Sequence, residues 1–248
     1  MKTPILTLLS LLCLSFPARA QDSSHRSQLS LSLGLSLPHG DYWSTNFNND
    51  AAGYATQGLV FDLAYDYRFH PMLGFTAMMR SGAHGFDIYA HARDWSDYLS
   101  SSTPGTRAMV DVQSGAYSAG GLLAGMYASV PLLENLQFQP RVLLGLGTAS
   151  LPYQVMEASA GTTPRLTVIR APAATFSFAW ILGASAQLDM TQKIFGRLSL
   201  DAFGTNARWR AVQEWSIGHA NGTVTSKFYD HYRDIRTMNI SAGLGVRF

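Results

Sequence analysis

The chain has 248 residues, of which 47% are hydrophobic and only 14% charged, well short of the roughly 25% charge of an ordinary soluble domain. Its 18 basic residues face 16 acidic ones, and two of the basic ones, Lys2 and Arg19, fall in an N-terminal leader, so the remainder is balanced in charge. That balance removes the electrostatic footprint of a nucleic-acid-binding protein. The single cysteine, Cys13, also lies in the leader, which leaves no thiol for a disulfide, a metal or a nucleophile.

In chain order, Lys2, an uncharged apolar run from Ile5 to Phe16 and the small residues of Ala18-Arg19-Ala20 predict a signal peptide over residues 1–20, cleaved after Ala20. A run of about 12 apolar residues is too short for a helical anchor, which needs roughly 20. Residues 21–27 are then a short periplasmic tail, and residues 28–248 carry the fold.

Period-two alternation recurs along that stretch. Leu29, Leu31, Leu33, Leu35 and Leu37 alternate with Ser30, Ser32, Gly34 and Ser36. Leu59, Phe61, Leu63, Tyr65, Tyr67 and Phe69 alternate with Val60, Asp62, Ala64, Asp66 and Arg68. Further runs start at Leu73, at about Ala116 (to Val130, Gly-rich and ambiguous in its facing), at Leu136, at Phe176 and at Ile194. The eighth is Thr237 to Phe248, with Met238, Ile240, Ala242, Leu244, Val246 and Phe248 on one side of a strand. Three connections are tight: His70-Pro71-Met72, Pro131 to Asn135 and Asp189 to Lys193. Four are long: Pro38 to Gln57, His84 to Gln113, Leu151 to Thr175 and Gly204 to Arg236.

Eight alternating strands with one trimmed and one elaborated rim predict an all-β fold, a closed antiparallel eight-stranded transmembrane β-barrel with short periplasmic turns and long extracellular loops. Ten strands are the alternative. An even number places both termini on the periplasmic side of the bacterial outer membrane. A soluble barrel would carry many Lys and Glu on its polar face, whereas this face is mostly Gly, Ser, Ala and Gln with sparse charges of both signs. The uncharged stretch Val112 to Leu133, with Gly121-x-x-x-Gly125, is too rich in Gly and Ser for a helical span.

The chain resembles the small outer-membrane β-barrel proteins, the OmpA transmembrane domain and OmpX in architecture, and more closely the PorT-type outer-membrane β-barrel domain family. The resemblance rests on Gly34 to Gly40 running into Asp41-Tyr42, on Gly58 to Phe69 with its Tyr65-x-Tyr67-x-Phe69 ending, on Val142 to Gly147, and on Gly243-Leu244-Gly245-Val246-Arg247-Phe248. It implies that Leu244, Val246 and Phe248 form an assembly signal for the barrel-insertion machinery. Outer-membrane lipid is the other implied partner.

Candidate chemistry is sparse. Asp62, Asp66, Arg68, Arg80, Arg141, Arg197, Asp201 and Arg247 fall on the polar face and are expected to neutralise one another in the lumen. His84, Asp87, His91, Asp94, Ser96 and Asp97 cluster in the second long connection, and His219, Asp230, His231 and Asp234 in the fourth, without a recognised catalytic or metal-binding spacing. They read as solvated loop residues. No cofactor is expected. Trp209, Trp215, Phe228, Tyr229 and Tyr232, flanking an Asn221-Gly222 turn, read as a hairpin that binds another envelope protein. The sequence thus points to a non-enzymatic barrel, an envelope structural protein or an accessory subunit. A small permeation barrel and a barrel enzyme acting on lipid or peptide are the alternatives.

Overall fold

The computed structural model describes residues 26–49, 51–102, 107–160 and 165–248. The expected leader and all but the last two residues of the expected tail lie outside them. The elements in chain order are β1 (Ser27–His39), a 3-10 turn (Gly40–Tyr42), β2 (Ala55–His70), β3 (Leu73–Phe86), α1 (Ile88–Ser102), β4 (Ala108–Ser114) and β5 (Tyr117–Ala128). Then follow β6 (Val130–Leu133), β7 (Leu136–Leu151), β8 (Gln154–Ala160), β9 (Leu166–Arg170), β10 (Ala173–Asp189), β11 (Ile194–Gly218) and β12 (Thr223–Arg247).

Eight of these strands close an antiparallel ring, in the order β1, β2, β3, β5, β7, β10, β11, β12 and back to β1. The closing seam runs from Gln28 opposite Arg247 to His39 opposite Arg236. Alternation sorts the side chains with apolar outside and polar inside. Leu29, Leu31, Leu33, Leu35 and Leu37 are exposed while Ser30, Ser32 and Ser36 are buried, and Phe176, Phe178 and Leu182 are exposed opposite buried Gln139 and Arg141. A belt of leucine and phenylalanine on the outer wall is stable only against lipid, and closure leaves no unpaired strand edge there. The fold is a transmembrane β-barrel, and among the described residues no helix is long and apolar enough to cross a membrane.

The interior is narrow enough that some strand positions admit no side chain. A Cβ on Gly245 would collide with the Phe195 ring, and one on Gly74 with the Tyr127 ring. Each ring lies flat across a glycine of the neighbouring strand, filling the space at the lower end of the lumen.

The second and third long connections carry α1 and short strands and are not open loops, which corrects the sequence expectation, whereas the fourth is the expected hairpin and the first has only the 3-10 turn. β11 and β12 have 25 residues each, more than twice the 9–11 a strand needs to cross a bilayer. β5, β7 and β10 likewise continue upward as β4, β8 and β9 after a bend at Gly115-Ala116, Pro152-Tyr153 and Ala171-Pro172. Pairing is preserved across that bend: β4 pairs with β8, β8 with β9 and β9 with β11, as β5, β7, β10 and β11 pair below. The wall therefore rises on one side as a five-stranded headpiece, β4-β8-β9-β11-β12, while the β1-β2-β3 side stops at the rim. The alternation of β4, β8 and β9 persists for only five to seven residues each, and the prolines interrupt the ladder because they donate no backbone hydrogen bond. The bend leaves a notch of about 390 Å³ on the outer surface, lined by Ala116, Ser150, Pro152, Tyr153, Pro172 and Ala174.

Helix α1 packs on β4. Asp87 starts it, its Oδ1 accepting from the Ala90 N–H at 2.9 Å. Ser96 Oγ donates to the Ala108 carbonyl at 2.5 Å, and Ser100 Oγ accepts from the Ala108 N–H at 2.9 Å. His91, Trp95 and Tyr98 share one face at helical spacing, and Phe47 packs on the latter two at 5.1 and 5.4 Å between ring centroids. The tight connection expected from Pro131 to Asn135 contains β6, which folds back onto β7.

Candidate functional site

In the membrane-spanning part, strand alternation points three arginines and three aspartates inward to one level. Arg80 forks onto Asp62 with Nε and Nη2 both at 2.7 Å, and its Nη2 also reaches Asp201 at 2.6 Å. Arg141 donates to the two oxygens of Asp201 at 3.1 and 2.8 Å. Arg197 meets Asp66 at 2.5 Å and Ser30 at 2.9 Å, and Thr76 also donates to Asp66 at 2.6 Å. All six side chains are buried and their formal charges cancel. Arg68 and Arg247 lie apart, at the lower end: Arg68 is half-buried and donates to Gln137 at 3.0 Å, and Arg247 pairs with Asp189. Next to the network Met78, Leu123, Leu143, Ile181 and Phe203 close the lumen with apolar side chains.

Above it, at the mouth, the inward register of β12 continues past Thr237 through Ile235 and Arg233 to His231. Arg233 is buried. Its Nη1 donates to the Gly53 carbonyl at 3.0 Å and to the Tyr117 hydroxyl at 2.8 Å, and its Nη2 to His231 Nε2 at 3.0 Å. Because a guanidinium only donates, His231 Nε2 accepts and the imidazole proton sits on Nδ1. His91 is fixed in the same way: Trp95 Nε1–H donates to its Nε2 at 3.1 Å, and the rings of Tyr54 and Phe86 stand edge-on to it at 4.7 and 5.1 Å. Burial, then the charges of Arg233 and Arg170, lower His231 to about 3. Burial and the charge of Arg170, with a smaller part from Arg233, lower His91 to about 4 against the opposing pull of Asp94. Both imidazoles are neutral at physiological pH.

Arg170 completes this group from β9, with Nη1 on Gln154 Oε1 at 2.8 Å, Nη2 at 3.5 Å from Glu214, and the guanidinium over the Tyr229 ring at 5.8 Å. His84, deeper, shares a 2.8 Å hydrogen bond with Ser36 Oγ under the ring of Tyr42. Both partners of this nucleophile-like pair are buried.

The remaining candidates are placed as follows. Asp94 accepts from the Tyr54 hydroxyl at 2.9 Å, His219 bonds Thr167 at 2.9 Å, Asp230 pairs with Arg208 at 2.8 Å, and Asp234 with Arg236 at 2.6 Å. His84, His91 and His231 are therefore held inside the mouth, not solvated in loops. Among the described residues no cluster of three metal-ligating side chains occurs. Of the five aromatics assigned to partner binding, Trp209 must be withdrawn: it is buried in the mouth, donates to the Ala149 carbonyl at 3.2 Å and stacks near His231. Phe228 and Tyr232 are exposed, Trp215 and Tyr229 half-buried. Leu244, Val246 and Phe248 are exposed on the lower outer wall, and Phe248 exchanges backbone hydrogen bonds with Ser27. Arg233, Arg170 and Tyr117 escaped the sequence reading; the inward parity of the closing strand, counted back from Thr237, was the signal for Arg233.

No family model matches the chain, and no curated protein does. Among solved structures, a major outer membrane protein from Thermus thermophilus is 11% identical with a TM-score of 0.50, over 90% of this chain and 100% of that one. Ail, the attachment invasion locus protein of Yersinia pestis, is 15% identical with a TM-score of 0.43, over 90% and 99%. The Thermus likeness shows the fold, that of an outer-membrane β-barrel.

Proposed function

We propose that this protein is a non-enzymatic barrel of the bacterial outer membrane that anchors a folded headpiece at the cell surface, and that it serves as an envelope structural protein or as an accessory subunit of a larger outer-membrane assembly. The observation that carries this reading is the division of the wall. The lower half of the ring is committed to lipid outside and to a charge-neutral plug inside, while the upper halves of five strands build a body outside the lipid belt. In this reading the tight turns and both termini face the periplasm, and the headpiece faces outward. The glycine-framed strand ends shared with PorT-type barrels support membership of that group. Contacts with another envelope protein would be made through exposed headpiece aromatics, Phe228 and Tyr232 above all. The histidines support the non-enzymatic reading, since those at the mouth bond to Trp95, Arg233 and Ser36 and not to a carboxylate.

Affinity isolation of the native protein in mild detergent tests this. A specific envelope protein should co-purify with the full chain and be lost with the double variant Phe228→Ala, Tyr232→Ala, whose barrel still shows heat-modifiable gel mobility. Retention by that variant would remove the headpiece aromatics from the contact.

A further inference from the structure

Buried arginines in this protein come in two kinds. Arg80, Arg141 and Arg197 each meet an aspartate. Arg233 is equally buried and, among the described residues, meets no carboxylate. Its Nε–H has no partner. Nε–H of Arg170 and Nδ1–H of His91 at the mouth also lack one, the latter bearing the proton because Nε2 accepts from Trp95. So do the Tyr42 hydroxyl and His84 Nδ1 deeper in and, in the lumen, Nη1 of Arg80 and Nε of Arg197. The nearby carboxylates are already taken. Glu214 is held by Lys227 at 2.8 Å and by Tyr229 at 3.2 Å, and Asp94 by Tyr54 at 2.9 Å and Arg93 at 3.5 Å.

The three unpaired donors at the mouth are parts of one group of contacts. Arg170 lies over Tyr229, whose ring is 6.3 Å from His231; His231 bonds Arg233; Arg233 lies over Tyr117, whose ring is 6.0 Å from Phe86; and Phe86 packs on His91. Leaving a buried donor unmet costs about as much as losing a hydrogen bond, and more when the group is charged. Three such donors, two of them on guanidiniums of which Arg233 meets no carboxylate among the described residues and Arg170 only Glu214 at 3.5 Å, suit an anion. Arg170, His91, His231 and Tyr229 are half-buried and form the outer side of the group, past which a ligand would enter, while Arg233 and Tyr117 form its buried floor.

We infer that the mouth of the barrel binds a small oxyanion, a phosphate or carboxylate group carried by a soluble ligand, on Arg233 Nε, Arg170 Nε and His91 Nδ1, within walls of Tyr229, Phe86 and Tyr117. Such a site is sequence-tolerant toward the rest of the ligand and selects for its charged end.

The test uses the full-length protein folded in a phosphate-free neutral detergent, titrated with inorganic phosphate and, separately, with sodium acetate. The ring 15N resonances of His91 and His231 and the thermal unfolding midpoint are followed. Saturable movement of the His91 Nδ1 resonance and a rise in midpoint with at least one probe are expected, and the preferred probe distinguishes phosphate from carboxylate. Arg233→Gln and Arg170→Gln should each weaken binding about tenfold or more, the loss of one charge-assisted contact. Arg208→Gln, outside the mouth, should leave binding unchanged. If Arg233→Gln does not fold, the half-exposed Arg170→Gln carries the test. No response to either probe, or equal responses from wild type and both mouth variants, overturns the inference.

Discussion

Asp201 is the residue on which the sealed lumen depends. It is fully buried and accepts three hydrogen bonds, two from Arg141 and one from Arg80. Asp201→Asn keeps the volume and removes the charge. Among the described residues Arg141 has no other carboxylate, so it becomes an uncompensated buried cation, whereas Arg80 keeps Asp62. Removing one partner of a buried pair costs about 3–5 kcal/mol. Asp62→Asn should cost clearly less, because Arg80 retains Asp201. Adding Arg141→Met to Asp201→Asn removes the orphaned guanidinium, so the double variant should recover about 1–3 kcal/mol relative to the sum of the singles. Urea unfolding in lipid vesicles, followed by tryptophan fluorescence and gel mobility, measures the wild type, the three single variants and the double variant. A cost below about 1 kcal/mol for Asp201→Asn, or simple additivity with Arg141→Met, would mean that water fills the lumen and screens the network.

Three further outcomes are expected. Gly245→Leu should displace the Phe195 ring that lies across it and cost about 1–3 kcal/mol in the same unfolding assay; a neutral result would mean the lower lumen has room to spare. His91 and His231 are neutral when folded, with values of about 4 and about 3, against about 6.5 when unfolded. The unfolded chain therefore binds more protons below pH 6.5, and the contribution of these two residues to stability in phosphate-free buffer should fall by up to about 2.7 kcal/mol per pH unit between pH 6 and 5, so that His231→Gln makes the slope shallower by up to about 1.4 kcal/mol per pH unit; a slope unchanged in that variant would contradict its burial. Deleting Phe248 should lower the amount of heat-modifiable protein in the outer membrane, and unchanged assembly would detach the terminal aromatic from insertion.

The barrel was legible because lipid and lumen impose opposite demands on alternate residues, and runs such as Leu29 to Leu37 or Met238 to Phe248 carry that period without interruption. The inward set of the lumen followed from the same parity. Of the headpiece only the β11–β12 hairpin was legible as sheet. β4, β8 and β9 are short, bounded by Gly115, Pro152 and Pro172, and mix polar and apolar residues on faces that meet neither lipid nor a large core. Helix α1 was hidden for a related reason: its packed face is built of His91, Trp95 and Tyr98, residues that suit an exposed loop equally well. Trp209 was misread because an aromatic beside polar residues resembles a contact surface until the extension of β11 turns it inward. No local pattern could show that Arg233 meets no carboxylate among the described residues, since that depends on Tyr117 of β5, the Gly53 carbonyl and His231 meeting around its guanidinium.

Asp62, Asp66, Asp201, Arg80, Arg141 and Arg197 fill the lumen of the eight-stranded membrane barrel, which on the proposed reading leaves function to the headpiece. Single-channel recording of the purified protein in planar lipid bilayers tests that filled lumen most directly. Little or no conductance is expected, because an eight-stranded ring leaves an interior only wide enough for side chains. Stable channels of large conductance would contradict it.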